Sequence, residues 1–143
     1  MSTREGSIFI ECRYGVWVLT MHGEHDVSTE PSLAEELDRV TAAGGPVVID
    51  LSDADFIDSS ILRVLVSAAG RSGDDGVAVV APAGREPRRL VRLTGVDRVL
   101  RVCETCEAAV EAVAPPDRYS MLNAIRTTRP GLASSSATPS EAS

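Results

Sequence analysis

Two short runs of β-branched and aromatic residues near the start of the chain predict a β-hairpin. Residues 8–12 (IFIEC) form the first run and residues 16–21 (VWVLTM) form the second. The three residues between them end in Gly15, and glycine readily adopts the backbone angles of a tight turn. The pattern therefore favours two strands that pair directly with each other.

Beyond the hairpin, helical spacing alternates with short apolar runs. Leu33, Leu37 and Val40 recur on one predicted helix face, and glycines follow as a stop signal. The predicted helices begin at Thr29, at Asp58 or Ser59, at Pro87 and at residue 104. The predicted strands are 47–51, 77–81 and 99–102. Residues 23–28 are predicted as a polar loop and residues 53–56 as a turn. Strands that alternate with helices indicate an α/β fold with a mixed sheet and right-handed crossovers.

The chain is predicted to hold one domain followed by a tail. A length of 143 residues suits one domain with a single core. From residue 115 onward, proline, serine, threonine and alanine dominate, and large apolar residues are almost absent after Leu122. Such a segment buries too little surface to offset the entropy lost on ordering. We therefore predict a folded domain over 1–114 and a mostly disordered tail over 115–143, with one weak helical turn near 120–125.

The formal net charge of −7 argues against partners that are themselves negatively charged. An acidic domain is repelled by nucleic-acid phosphates and by anionic lipid surfaces. The sequence contains no apolar run of about 20 residues that would span a membrane. Its first residues also lack the pattern of a secretion signal. These features predict a cytoplasmic protein that binds neither nucleic acid nor membranes.

Three cysteines, Cys12, Cys103 and Cys106, are too few for a disulfide framework. Cys103 and Cys106 form a CxxC motif, but no second pair completes a zinc site. The motif fits small residues at a strand end and a helix start, and it also fits redox sensing. The sequence leaves both interpretations open.

The segment 47–62 (VVIDLSDADFIDSSIL) holds the candidate chemistry. It leads from a buried strand to a helix that starts with Asp58, Ser59 and Ser60. The unpaired N–H groups and partial positive charge of a helix N-terminus tolerate added negative charge. A phosphate on a hydroxyl there would add about −1.5 to −2 charges and change any docking surface. Aspartate and serine are also ordinary helix caps, and spacing alone does not separate the two roles.

The stretch 16–113 resembles the bacterial anti-sigma factor antagonists of the STAS (sulfate-transporter/anti-sigma-antagonist) family. The matching segments are GEHDVST (23–29), DLSDADFIDSSIL (50–62) and RRLVRLTGVDRVLRV (88–102). The resemblance implies a single STAS-type domain, with a small mixed β-sheet of four to five strands and about four helices packed mainly on one face.

The resemblance also implies a function. In the family, the first serine of a D-S-S-G motif accepts phosphate, and this serine corresponds to Ser59. The implied docking surface consists of Gly23, Glu24, His25, Asp26, Asp58, Ser59, Ser60 and Ile61. Its partner would be an anti-sigma factor of the serine kinase/ATPase type, held by the unphosphorylated protein so that a sigma factor is freed. The protein would be no enzyme and would need no cofactor or metal; a weak homodimer remains open.

One position departs from the family pattern. The glycine that follows the two serines is replaced here by Ile61. A glycine lets another backbone approach closely, whereas a branched side chain either obstructs a kinase or anchors a different partner. The alternative function is therefore that of an adaptor subunit, not phosphorylated, in a transport or stress-signalling complex.

Two catalytic or metal-binding constellations have little support. Ser59 with His25 and either Asp26 or Asp58 would make a hydrolase triad, but the G-x-S-x-G elbow is absent. Glu24, Asp26 and Asp50 lack the close spacing of a cation site. Neither set indicates an enzyme.

Four arginines at helical spacing lie on the third predicted helix. They are Arg85, Arg88, Arg89 and Arg92. They form either a solvated basic face or part of a docking surface for an acidic partner.

Overall fold

The computed structural model describes residues 6–72 and 76–114. The elements are β1 (Ser7–Arg13), β2 (Val16–His25), α1 (Glu30–Ala43), β3 (Val47–Asp50), β4 (Ala54–Ile57), α2 (Ser59–Ser72), β5 (Val77–Val80), α3 (Glu86–Thr94), β6 (Arg101–Cys103) and α4 (Cys106–Val113), with a 3-10 turn at Val96–Arg98. The predicted tail and its helical turn lie outside the described residues. The boundary at residue 114 stays a prediction.

One mixed sheet organises the domain. Its strand order is β1-β2-β3-β5-β6, and β4 pairs with β2 away from this path. β1 runs antiparallel to β2, whereas every other pair is parallel. The predicted α/β fold with a mixed sheet is therefore confirmed, with six strands in place of the four to five expected.

β2 is longer than predicted because it pairs with two strands, β3 and β4, on one side. Its first half pairs with β3, from Trp17 opposite Val47 onward, and its last residues pair with β4. Residues 23–25 and 54–56 were predicted as loop and turn, which is wrong: they lie in β2 and β4. These polar segments are strands because their backbone groups bond to each other, a contact between positions about 30 residues apart.

Helices cover both faces of the sheet unequally. The larger core joins the inner faces of α1, α2 and α3 to the sheet, through residues such as Leu33, Ile61 and Val91. The smaller core places Val110 of α4 against Val48 and other strand residues on the opposite face. Packing mainly on one face is thus confirmed, with α4 as the exception. Every helix among residues 6–72 and 76–114 is too short or too polar to cross a lipid bilayer.

The boundaries of α1 follow from local sequence, but its cap differs from the prediction. Leu33, Leu37 and Val40 are buried, as their spacing predicted. Gly44 ends the helix with a φ of 83°, a conformation that glycine adopts without strain. Thr29 stands at the capping position but makes no capping hydrogen bond. Its hydroxyl is used instead in the loop that precedes α1.

Candidate partner-docking site

Two parallel strand ends bring the candidate residues together. Glu24 lies opposite Phe56 and His25 lies opposite Ile57 in the pairing of β2 with β4. The chain then leaves β2 through Asp26 and leaves β4 through Asp58. The loop before α1 and the first turn of α2 therefore begin side by side at the same edge of the sheet.

Asp58 caps α2 with its side chain. Its Oδ1 accepts hydrogen bonds from the backbone N–H groups of Ser60 at 3.0 Å and Ile61 at 3.3 Å. The Ser60 hydroxyl donates to the same oxygen at 2.6 Å. The Asp58 side chain thereby caps the first turn of the helix, and the Ile61 N–H is shared with the Asp58 backbone carbonyl at 3.1 Å. The cap interpretation of Asp58 holds, and Ser60 is part of the cap.

Ser59 differs from its neighbour in both exposure and bonding. It is the first residue of α2 and is exposed, whereas Ser60 is half-buried. Among the described residues, no side-chain hydrogen bond involves the Ser59 hydroxyl. Of the two adjacent serines, Ser59 is therefore the one whose oxygen is available to a reagent or partner.

His25 is buried in the domain and holds the loop at residues 26–29 through its ring. Its ring is fully buried, at 0% exposure, with Nε2 3.0 Å from the His22 carbonyl and Nδ1 3.1 Å from the Thr29 hydroxyl. A Cβ at Gly6 would come within 2.9 Å of the ring, so Gly6 is closely packed against it. Burial lowers the pKa of the His25 imidazole, because the charged ring would lose its hydration.

Hydrogen bonds within the loop hold the segment from Asp26 to Thr29. Oδ1 of Asp26 accepts from the Ser28 N–H at 2.9 Å and from the Ser28 hydroxyl. These bonds, with the hydroxyl first, lower the pKa of the Asp26 carboxyl. The Thr29 hydroxyl oxygen accepts from the Asp26 N–H at 3.1 Å. The loop thus presents a preformed, negatively charged turn beside Ser59.

The predicted docking residues divide into surface and interior. Asp26 and Ser59 are exposed, and Glu24, Asp58 and Ser60 are half-buried. Three others are buried: Gly23, His25 and Ile61. The interior residues position the surface without presenting side chains to a partner.

Ile61 corrects an expectation. Its side chain is 0% exposed and packs in the core under α2. An isoleucine in this position neither obstructs an approaching kinase from outside nor offers an apolar anchor to another partner. The adaptor alternative therefore loses the observation that motivated it.

Sequence reasoning missed two exposed apolar residues at the same edge. Val27 is 66% exposed in the loop before α1, and Phe56 is 41% exposed in β4. Single exposed apolar side chains are common at protein surfaces, and Phe9, Leu93 and Val99 are exposed as well, so Val27 and Phe56 are candidates only because of their position at these strand ends. An aromatic residue within the polar segment 53–58 of a chain with few aromatics was the available signal.

The arginines of α3 are mostly engaged inside the molecule. Arg85 donates to the Ala54 carbonyl of β4 at 2.8 Å. Arg88 donates to the Ala81 carbonyl and pairs with Glu104 at 2.7 Å. Arg89 pairs with Glu86 on its own helix at 3.2 Å. The guanidinium groups of Arg85 and Arg88 thus fasten α3 to neighbouring segments, and the docking surface for an acidic partner stays a prediction.

The described residues add no support for redox sensing by the cysteines, for a hydrolase triad or for a metal site. Burial raises the pKa of both the Cys103 and the Cys106 thiol, which disfavours the reactive thiolate. The His25 ring nitrogens bond to Thr29 and His22 and not to Ser59. Within the described part of the chain, no group of three or more potential ligands could hold a metal ion.

Comparisons with known proteins agree with this architecture. The anti-sigma-F factor antagonist RsfB of Mycobacterium tuberculosis is 34% identical over 85 residues, which are 59% of this chain and 70% of that protein. The crystal structure of an anti-sigma factor antagonist from Mycobacterium paratuberculosis matches with a TM-score of 0.67 at 32% identity, covering 76% of this chain and 94% of that one.

A more distant structure shares the fold. The anti-sigma factor antagonist SpoIIAA of Bacillus, in its unphosphorylated form, matches with a TM-score of 0.61 at 15% identity, covering 75% of this chain and 96% of that one. The family model for the STAS domain matches residues 7–109. With most of the sheet and its helices inside that match, the chain belongs to the STAS domain family.

Proposed function

We propose that this chain is an anti-sigma factor antagonist that works by partner switching. Unphosphorylated, it binds an anti-sigma factor of the serine kinase/ATPase type and so frees a sigma factor. Phosphate on Ser59 releases the partner. The observation that carries the proposal is the exposed, unbonded Ser59 hydroxyl beside the preformed loop at Asp26. The names of the mycobacterial relatives support an anti-sigma factor as the partner.

The docking surface combines charge with exposed apolar area. Asp26 and Asp58 supply carboxylates at the two strand ends next to Ser59, and Val27 adds an exposed apolar side chain to the loop. Glu24 and Phe56 lie opposite each other in the pairing of β2 with β4, on the sheet face away from the buried His25 and Ile57. Apolar contacts near the centre of an interface contribute affinity, and charges at its rim favour a partner of opposite sign. We therefore expect an apolar partner surface against Val27 and Ser59, with basic groups only at its edge, where they meet Asp26.

Phosphorylation of Ser59 would disrupt the contact with the partner because the phosphate would lie within the interface. In the reaction, the Ser59 oxygen attacks the γ-phosphorus of ATP, the bond to ADP breaks, and a base on the kinase takes the hydroxyl proton. The product carries about 1.5 to 2 negative charges next to the Asp58 carboxylate. Burying that group against an apolar partner surface costs desolvation, in addition to the space that it occupies.

The test uses purified anti-sigma factors of the histidine-kinase-like ATPase type with ATP. We expect mass spectrometry to find phosphate on Ser59, and Ser59→Glu to weaken binding at least tenfold. Ser67→Glu is the matched control, because Ser67 is exposed on the same helix two turns further on. It should bind like the wild type.

Two results would contradict the proposal. One is equal binding by the wild type and Ser59→Glu. The other is phosphate found only at serines other than Ser59. Co-purification with a transporter ATPase in place of an ATPase-kinase would favour the adaptor function instead.

A further inference from the structure

Arg63 is an exposed arginine on the same helix as Ser59, four residues further along. None of the ion pairs or side-chain hydrogen bonds between described residues involves its guanidinium. The other described arginine of α2 is engaged: Arg71 pairs with Asp38 of α1 at 2.7 Å. Arg63 is therefore the available positive charge on the outer surface of α2.

The spacing of Ser59 and Arg63 places them on one helix face. Residues four apart on a helix are neighbours, with Cβ atoms about 5–6 Å apart. Helical side chains also lean toward the N-terminus, so a long side chain covers the turn before its own position. This preference favours an approach of the Arg63 guanidinium to Ser59 over one to Ser67, which lies four residues on the other side.

The surroundings of Ser59 make such a positive charge consequential. Asp58 precedes it and Asp26 lies in the adjacent loop, so an added phosphate enters an acidic region. Ser60, the next hydroxyl, is already bonded to Asp58 at 2.6 Å. A guanidinium binds phosphate with two parallel hydrogen bonds, a geometry that suits a phosphate oxygen pair one turn away.

We propose that Arg63 is the intramolecular counter-ion of phosphorylated Ser59. The inference rests on the proposed phosphorylation of Ser59 and adds how the phosphate is held. Arg63 binds the phosphate along the outer face of α2 and offsets its repulsion from Asp58. The unmodified protein leaves the guanidinium free, so phosphorylation changes the state of two surface side chains at once.

The test measures the phosphate directly and needs neither kinase nor partner. Phosphoserine is incorporated at position 59 during translation, and the phosphate is titrated by ³¹P NMR in the wild type and in Arg63→Gln. A neighbouring guanidinium favours the doubly charged phosphate over the singly charged form. Removal of the guanidinium in Arg63→Gln should therefore raise the midpoint of the phosphate titration by about 0.3 pH units. Arg63→Lys keeps the charge and should restore most of the difference.

Arg71→Gln is the matched control. It removes the same charge from the same helix, twelve residues from Ser59, or about 18 Å along the axis. At physiological ionic strength this separation exceeds the screening length, so the midpoint should stay at the wild-type value. Circular dichroism on each variant verifies that the helix is intact.

Equal midpoints in the wild type and Arg63→Gln would overturn the inference. An equal rise in Arg63→Gln and Arg71→Gln would also overturn it, because it would indicate net charge and not contact. Neither result bears on partner switching, which the binding and kinase experiments test separately. If the binding and kinase experiments fail but the phosphate midpoint still rises in Arg63→Gln, the proposed function is refuted and the pairing of Arg63 with the phosphate stands.

Discussion

α2 and α3 both begin at the carboxyl end of a strand in the same sheet, yet their first turns use polar side chains differently. At the start of α3, Arg88 and the capping residue Arg85 donate to the carbonyl oxygens of Ala81 and Ala54, respectively. In α2, Ser59 projects to solvent without a bond to the described residues. The first set fastens the helix to the sheet, and the second leaves a free group at the surface.

The difference indicates that the arginine side chains that stabilise the fold and the proposed phosphorylation site lie on different helices of this domain. Side chains that satisfy backbone carbonyls cost stability when they are removed, because the carbonyl loses its partner. A solvated hydroxyl can be modified at little cost to the fold. Substitution of Arg85 or Arg88 should therefore change the free energy of unfolding, whereas a negative charge at Ser59 should change binding and leave the stability of the fold nearly unaltered.

The largest effect is expected on the inner face of α2. Ile61→Ala removes buried methyl groups from the core and should lower the free energy of unfolding by about 3 kcal/mol. Urea denaturation measures the change. A loss below about 0.5 kcal/mol would mean that Ile61 is not the buried residue described here.

A smaller loss is expected in α3. Arg88→Ala removes the bond to the Ala81 carbonyl and the pair with Glu104, and should cost about 1–2 kcal/mol. Arg92→Ala is the control, since Arg92 is exposed on the same helix. Its effect should stay within about 0.5 kcal/mol. Equal losses in both variants would remove the distinction between fastening and solvated arginines.

The stability of the fold should decrease in acid through His25, the buried last residue of β2. Because burial lowers the pKa of His25 in the folded state, the unfolded chain binds the proton more readily. The stability that neutral His25 contributes is complete above the unfolded value near pH 6.5 and is lost as pH falls below it. The urea midpoint should therefore drop between pH 7.5 and pH 5.5.

His25→Gln should flatten this profile, although the variant starts from lower stability. His22→Gln should keep it, since the His22 side chain is partly exposed. A wild-type profile without a decrease in this range would contradict the buried, neutral state of His25.

The smallest effect on stability is expected at Ser59 itself. Ser59→Ala deletes an exposed hydroxyl and should change the free energy of unfolding by less than about 0.5 kcal/mol. The same variant should abolish phosphorylation and keep partner binding. A destabilisation above about 1 kcal/mol would show that the hydroxyl has a structural role, and the contrast with α3 would fail.

The amino-acid pattern alone determined the features that depend on neighbouring residues. The hairpin, the helix at Leu33 to Val40 and the glycine stop at Gly44 follow from periodicity and backbone preference over a few positions. The capping of α2 by Asp58 is equally local, because donor and acceptor lie within three residues.

Only the tertiary structure decided which side chains are free and which are engaged. β4 became a strand through pairing with the end of β2, and Arg85 found its acceptor 31 residues away at Ala54. The inward direction of Ile61 and the burial of His25 likewise depend on segments packed over them. The physical reason is that burial and hydrogen-bond partnership are set by residues distant in sequence, whereas periodicity reports only the local backbone.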